Sequence, residues 1–590
     1  MEVRRTFDLL DRYAEKFPKD DALCFKHEGE WKKFSSKEYI DYSNNFCRGL
    51  YEMGLRKGDK IITVSSNRPE WNFADMGMAM IGVVHVPVFV SLNTSEYQYI
   101  IRNSGAKMII ISDTRLYKCV SPAFDYPGFS SHVYTFDKVT GVNNWMEIIS
   151  KGKSSPEKSR NEIEEVKSSI DQDSFATLIY TSGTTGKPKG VMLSHKNLVS
   201  NFISASSVFN LKSTDKYLSI LPLCHVGGRM GNYQTQYSGA SIYYAESMGT
   251  IAINIQEIKP DGFDAVPRVI EKFYDVIITK GKKLTGIKKR VFFWAVKLGL
   301  RYKTFGENGW FYENKLKLAD KLIFSKWRAA LGGNVRIVGC GGASLPPRLE
   351  RIFWAAGIRI INMYGLTETS PIITINRTHK GGIRLGSVGL VIEGVEVKIA
   401  DDGEILCKGP NVMLGYYNDP ELTRSVIDKE GWFHTGDIGY IEEGKFLMVT
   451  DRKKEIFKLS NGKFIAPQLI ENICRESTII DQIMVVGEHE KFASALISPN
   501  FKYFDEMRSS GRIEFSDPDE LIRNPEIQSI FNSEIENINK KLNHAERISR
   551  FRLVPDEWTP ATGELSPTLK LRRRFITEKY QKLLDQVYMK

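Results

Sequence analysis

The sequence predicts an α/β protein in several parts: a large N-terminal region of layered α/β subdomains, a small β-rich piece, and a smaller α+β region towards the C-terminal end. Three observations carry this. The chain's 590 residues exceed what one hydrophobic core usually organises. Over the first 150 residues, short apolar runs of strand type alternate with segments of helical periodicity, the pattern of α/β layers. Near residue 386 the helical signal gives way to strands and turns, and after residue 451 a mixed pattern returns.

Taken in order, the opening MEVRRTFDLLDRYAEKFPKD spaces its apolar residues among charges, which predicts an amphipathic helix and not a signal peptide. KIITVSSN and AKMIIISD read as buried strands. Residues 151–170, KGKSSPEKSRNEIEEVKSSI, are polar and rich in Lys and Ser, and read as a surface linker. From about 268 to 330 the chain is helical, charged and aromatic, and it stops at a pair of glycines. VEVKIADDGEILCKG alternates Val395, Val397 and Ile399, turns at Asp402-Gly403 and returns, which predicts a hairpin. Beyond TDRKKEIFKLSNGK the chain reads as one compact α+β unit. No run approaches the roughly 18 apolar residues needed to span a bilayer.

An apolar share of 42% and a charged share of 26% are those of an ordinary globular chain. The net charge of +11 suits anionic partners. It is spread along the chain, with local clusters at 280–290 and 572–574, and no recognition module accompanies it, so nucleic acid is not expected as a partner. The stretch KGKKLTGIKKRVFFWAVKLGL joins basic to aromatic residues as interfacial helices do; the plainer reading is a helix packed on the large domain with a solvated basic face. Seven scattered cysteines without a CxxC pair argue against a disulfide framework or zinc site and fit a reducing cytoplasm.

YTSGTTGKPKG, residues 180–190, places three glycines, four Ser/Thr hydroxyls and two lysines between apolar runs. Glycine lets backbone N–H groups approach an anion, hydroxyls add donors and lysine adds charge, so the loop suits a polyphosphate. It is not a Walker A loop: Gly183 and Gly186 stand too close, Pro188 follows Lys187, and a strand-like run comes next in place of a helix. Alone, a flexible glycine turn explains it equally well.

That loop is followed in order by LPLCHVGGR (221–229), NMYGLTETS (362–370), GWFHTGDIG (431–439) and DRKKEIFKLSNGK (451–463). Together they resemble the adenylate-forming superfamily of acyl-CoA synthetases, adenylation domains and luciferases, through nearly the whole chain. SGASIYYAES, AVPRVIEKFYD and KLSNGKFIAPQLIEN are most similar to the long-chain fatty acyl-CoA synthetases. The likeness departs at CHVGGR, where Gly227 and Gly228 replace a bulky residue and an acid. The resemblance implies a large domain over 1–450 that includes a small β-barrel, a hinge at 451–454 and a small mobile α+β domain over 455–590. It also implies ATP and CoA as substrates with a fatty acid, and Mg²⁺ as cofactor; peripheral contact with the inner face of a membrane, read from the basic and aromatic segment, and a homodimer are kept as further expectations.

The same resemblance implies the site. Thr181, Ser182, Gly183, Thr184, Thr185, Gly186 and Lys187 would wrap the phosphates. Glu368, with Thr181, would hold Mg²⁺, and Thr367 would bond the α-phosphate. Tyr364 and Gly365, with Gly341, Gly342 and Ala343, belong to the nucleotide site. Asp437 and Arg452 would take the ribose, Asp437 accepting from both hydroxyls. His225 would stand at the mouth of the acyl tunnel; its neighbour Cys224 suggests a thiol–histidine pair, but in a strand the two side chains would point to opposite faces. Lys570 would bridge carboxylate and α-phosphate in the first half-reaction. Asp451 and Lys454 mark the hinge, and Lys458 would enter for the second half-reaction. Two rivals remain: an acyl-AMP ligase that loads a carrier protein, and a non-catalytic nucleotide- or acyl-binding homologue.

Overall fold

The computed structural model of the chain is described for residues 2–124, 132–181, 188–566 and 569–588. The chain forms two compact units, Met1–Gly342 with Glu350–Val397 and Cys407–His434, and Ala343–Leu349 with Lys398–Leu406 and Thr435–Lys590.

In the first unit, the run KIITV forms the strand Lys60–Val64, with Val84–Val88 and Met108–Ile111 parallel on its two sides. Both neighbours are buried throughout, as expected of parallel strands covered on both faces. This sheet extends through Phe175–Thr181 and Lys189–Ser194 at one end and Val133–Thr135 at the other. A second, nine-stranded sheet has a parallel centre: Ser241–Tyr244, Lys216–Ser219, Gly262–Ala265, Ile337–Cys340 and Arg359–Gly365. Its outer strands Leu23–His27 and Glu30–Phe34 form an antiparallel hairpin. Every residue of the helix Pro69–Met80 is buried.

The predicted opening helix is Asp8–Lys16, which buries Leu9, Leu10 and Tyr13. The stretch expected as a linker is not one: Trp145–Lys153 and Glu157–Ser168 are helices. Ile163 alone in the second of these is fully buried, Val166 packs partly buried against the same core, and Tyr51 Oη donates to Glu162 at 2.9 Å, so few apolar contacts and polar anchors hold a surface helix that hydropathy alone hides. The helical region is present as Pro267–Lys282, Gly286–Gly299, Trp310–Ala319 and Ser325–Ala330, and Gly332 and Gly333 adopt positive φ after it.

The β-rich piece is a four-stranded sheet in the order Glu396–Ile399, Glu404–Lys408, Phe433–Glu442, Phe446–Arg452. The predicted hairpin turn closes through Gly403 N to Ala400 O at 2.8 Å, with Gly403 at φ +83°. In the second unit, Ile480–Val486, Ser494–Pro499 and Arg550–Leu553 form a three-stranded sheet. Ile470, Ile497, Phe504, Phe531 and Leu553 fill the core beside it.

Candidate active site

In the first unit, the strands before three of the motifs run parallel, and the motifs lie at or just beyond their carboxyl ends: His225 after Lys216–Ser219, Gly341 and Gly342 after Ile337–Cys340, and Tyr364 and Gly365 closing Arg359–Gly365. Open α/β sheets bind ligands at that edge. The glycine-rich loop joins Phe175–Thr181 to Lys189–Ser194 as an antiparallel pair, with Thr181 opposite Lys189. It therefore connects two strands, as its sequence predicts. Ser182, Gly183, Thr184, Thr185, Gly186 and Lys187 lie outside the described residues.

The YGLTE segment turns sharply between Arg359–Gly365 and the antiparallel strand Ile372–Ile375. A Cβ on Gly365 would stand 1.7 Å from the Pro371 carbonyl oxygen, so only glycine fits. Thr367 is buried, and Glu368 is half-buried with its Oε1 accepting from Tyr416 Oη at 2.8 Å. Tyr416 lies on a short strand paired with Lys189–Ser194, and the Lys189 ammonium sits 5.3 Å from its ring centre. Tyr416 thus ties Glu368 to the base of the glycine-rich loop, a role no motif announced. Glu368 and the Thr181 hydroxyl offer hard oxygen donors, and the described residues contain no cluster of three metal-binding side chains. That set fits Mg²⁺, which keeps waters and binds largely through substrate phosphates.

His225 and Cys224 are not in a strand. They occupy a turn before the helix Val226–Ser238, where His225 is the N-cap and its Nδ1 accepts from Gly227 N at 3.1 Å. Burial pushes the Cys224 thiol up to about 12, so it holds its proton. Gly228 is required by space, since a Cβ there would lie 2.3 Å from Pro222 O.

One turn along that helix, Arg229 is buried and ion-paired with Asp75. It also donates to Thr177 Oγ1 at 2.6 Å and to Tyr233 Oη at 2.8 Å. His85 Nδ1 bonds Asp75 at 2.7 Å and its Nε2 bonds Thr63 at 2.9 Å. Burial raises the Asp75 carboxyl, but Arg229, His85 and Tyr233 outweigh it and hold the group below the usual carboxylate range. Thr177 lies on the strand that enters the glycine-rich loop, so this network fixes the His225 helix against that strand. Asp75, His85 and Thr177 carry no sequence signal, because the contacts span up to 158 positions.

The second unit holds the rest. Asp437 and Arg452 are cross-strand partners, and Arg452 Nε donates to Asp437 Oδ1 at 2.9 Å. Asp451 is buried and accepts from Arg452 N at 2.6 Å and from Gln468 N at 3.0 Å. Burial raises its carboxyl to about 7 despite those bonds. Lys453 bonds Glu404 at 2.8 Å and Asp402 at 2.6 Å, while Lys454 is exposed. Lys458 is exposed with its ammonium 5.5 Å from the Phe464 ring centre, and Ala343 belongs to this unit.

Lys570 stands exposed on a closed loop: Ser566 N donates to Lys570 O at 2.8 Å, Lys570 N to Ser566 Oγ at 3.1 Å, and Leu565 bridges Leu571. Just beyond, Arg573 donates twice to Glu471, at 2.8 and 2.7 Å, and to Glu455 at 2.9 Å. One guanidinium thereby joins the Lys570 loop, the helix Pro467–Cys474 and the residue after Lys454. The motif reading did not include it, although its place in a run of three arginines was visible.

With this geometry in view, the comparisons place the chain. Residues 10–417 match the AMP-binding enzyme family and residues 454–590 the AMP-binding enzyme C-terminal domain. The chain belongs to the AMP-binding enzyme family. Among curated proteins, a long-chain-fatty-acid–CoA ligase, FadD15 of Mycobacterium bovis, is 30% identical over 602 residues, covering 96% of this chain and 97% of that protein. The peroxisomal long chain acyl-CoA synthetase 7 of Arabidopsis thaliana is 30% identical over 95% of this chain and 82% of its own length. Among solved structures, the adenylation domain of a carboxylic acid reductase from Segniliparus rugosus, in complex with AMP, has a TM-score of 0.74 at 20% identity, covering 99% of this chain and 94% of that one. A Mycobacterium tuberculosis fatty acyl CoA synthetase has a TM-score of 0.62 at 20% identity over 98% and 99% of the two chains. The predicted fold class, a large layered α/β domain with a small β-barrel-like sheet and an α+β C-terminal domain, is the fold observed.

Proposed function

We propose that the chain is an ATP-dependent long-chain fatty acid–CoA ligase working in two steps. The fatty carboxylate attacks the α-phosphorus of ATP and displaces pyrophosphate, giving acyl-AMP; the CoA thiol then attacks the acyl carbon and displaces AMP. The observation that carries the reading is the near-full-length, 30% identity to a long-chain-fatty-acid–CoA ligase. A carboxylate's own leaving group is oxide, so the protein's task is to hold anions together and offset the charge that builds on phosphorus.

In this reading, Thr181 to Lys187 hold the departing pyrophosphate and Thr367 bonds the α-phosphate. Tyr364, Gly365, Gly341, Gly342 and Ala343 line the nucleotide, and Asp437 and Arg452 hold the ribose. Glu368, kept in place by Tyr416, and Thr181 would hold Mg²⁺, which when bound offsets phosphate charge. His225 orients the carboxylate, and Lys570 brings positive charge to the carboxylate and α-phosphate. The functional domains run over 1–450 and 455–590; turning about 451–454, with Asp451 and Lys454 at the pivot, exchanges the Lys570 surface for the Lys458 surface. The proposal extends to peripheral contact with the inner face of a membrane and leaves room for a homodimer.

The test is pyrophosphate release and thioester formation over carboxylates from short to very long, with and without CoA. Both products with long-chain acids are expected. No pyrophosphate with any acid ends the reading, and pyrophosphate without a CoA thioester turns it towards carrier loading.

A further inference from the structure

The basic segment at 280–300 keeps its aromatic residues to itself: Phe292 is buried, Phe293 and Trp294 are partly so, and Ala295 and Val296 are buried with them. Exposed aromatic surface lies farther along. Among the described residues, seven of sixteen exposed large apolar side chains fall between 287 and 322: Ile287, Leu300, Phe305, Trp310, Phe311, Leu318 and Leu322. Trp310 and Phe311 open the helix Trp310–Ala319 with 72% and 78% of their surfaces bare, their rings 4.9 Å apart. Phe311, Leu318 and Leu322 follow at steps of seven and four along a continuous helical run, so they share one face.

Charge gathers on the same segment. Residues 286–326 contain ten Lys or Arg and three Asp or Glu, in a chain whose whole net charge is +11. Lys315, Lys317, Lys321 and Lys326 are exposed beside the apolar stripe. The core of a protein–protein interface is depleted of lysine. Lysines flanking an aromatic stripe suit a lipid surface, where their stems lie on acyl chains while their ammonium groups reach anionic phosphates.

We propose that the face formed by Trp310, Phe311, Leu318 and Leu322 docks on an anionic lipid bilayer, with Lys315, Lys317 and Lys321 on the headgroups. This moves the membrane contact expected at 280–300 onto a different helix. It names the surface for the peripheral contact in the proposed function, yet it stands without the ligase reading, because binding is measured with no substrate present.

The test is co-sedimentation of the full chain with vesicles of phosphatidylcholine alone or mixed with phosphatidylglycerol at roughly three to one, at low and high salt. Wild type is expected to partition at least about tenfold more onto the anionic vesicles and to be released by salt. The double variant Trp310→Ala/Phe311→Ala should lose about tenfold of that partitioning, and Lys315→Glu/Lys321→Glu a similar amount. All four positions are exposed, and circular dichroism checks that folding is retained. Wild type that stays in the supernatant with anionic vesicles overturns the proposal, as do folded variants that bind like wild type. Self-association of wild type, lost in Trp310→Ala/Phe311→Ala without any vesicle binding, assigns the face to a second copy instead. Pyrophosphate release from a soluble acid, assayed in the same samples, separates failure of this proposal from failure of the ligase reading.

Discussion

Asp264 is a carboxylate with nowhere to go. It is buried on the strand Gly262–Ala265, wedged so that a Cβ on Gly231 would lie 2.3 Å, and one on Gly339 2.1 Å, from its oxygens. Its Oδ1 finds no hydrogen-bond partner. Burial raises its carboxyl to about 6, and the Tyr217 hydroxyl only partly offsets this. The folded state therefore holds the proton more tightly than the unfolded chain. Stability is lost as pH rises from about 4 to about 6 and then stays lower. Asp264→Asn should stabilise the protein by about 3 kcal/mol near pH 7.5, with the gain shrinking towards zero near pH 4; denaturant unfolding at both values is the measurement. Neither Asp264 nor Tyr416 was legible in the sequence, since each matters through contacts between distant strands. Glu368, Asp437 and Lys570, the residues expected at the site, sit in short motifs that the sequence displays directly.

At the scale of elements, the hairpin at 396–408 and the buried strands Lys60–Val64 and Met108–Ile111 could be read directly, because alternation and continuous apolar runs report which faces are covered. The helix Glu157–Ser168 could not, because one buried isoleucine leaves almost no periodic signal. The turn holding His225 was misread for a related reason: an N-cap histidine looks like any residue between two apolar runs. The Lys570 loop depends on an element-level clamp that no single motif shows. Arg573 satisfies Glu471, which is 3% exposed, so Arg573→Met leaves that carboxylate buried without its partner. A loss of about 3–5 kcal/mol is expected on denaturant unfolding, with much of it regained in Arg573→Met/Glu471→Leu. The single variant should also slow pyrophosphate release more than thioester formation from supplied acyl-AMP; equal slowing would show that the clamp does not serve the Lys570 loop.

Across the whole molecule, the two compact units are discontinuous in sequence, and no composition shift announces that residues 343–349 and 398–406 join the second. The C-terminal family match beginning at 454 nevertheless contains its own interior. Both apolar clusters there, one from Phe457 to Leu553 and the other from Met484 to Leu584, draw only on residues after 454. The Arg573 contacts with Glu455 and Glu471 also lie inside it. A fragment of residues 454–590 should therefore fold alone and unfold in one cooperative transition, with a stability on the order of 5–10 kcal/mol. A fragment that binds hydrophobic dye and melts without a transition would show that its interior needs the rest of the chain.

The placement of the cysteines has a chemical consequence. Six of the seven are buried, only Cys119 being exposed, and burial pushes Cys24, Cys47, Cys224 and Cys407 up to about 12 and raises Cys340 and Cys474 as well. Thiolates, not thiols, attack acyl groups. In the proposed reaction an activated acyl group awaits an outside thiol, and burial, by holding these six internal thiols protonated, disfavours them as competing acceptors.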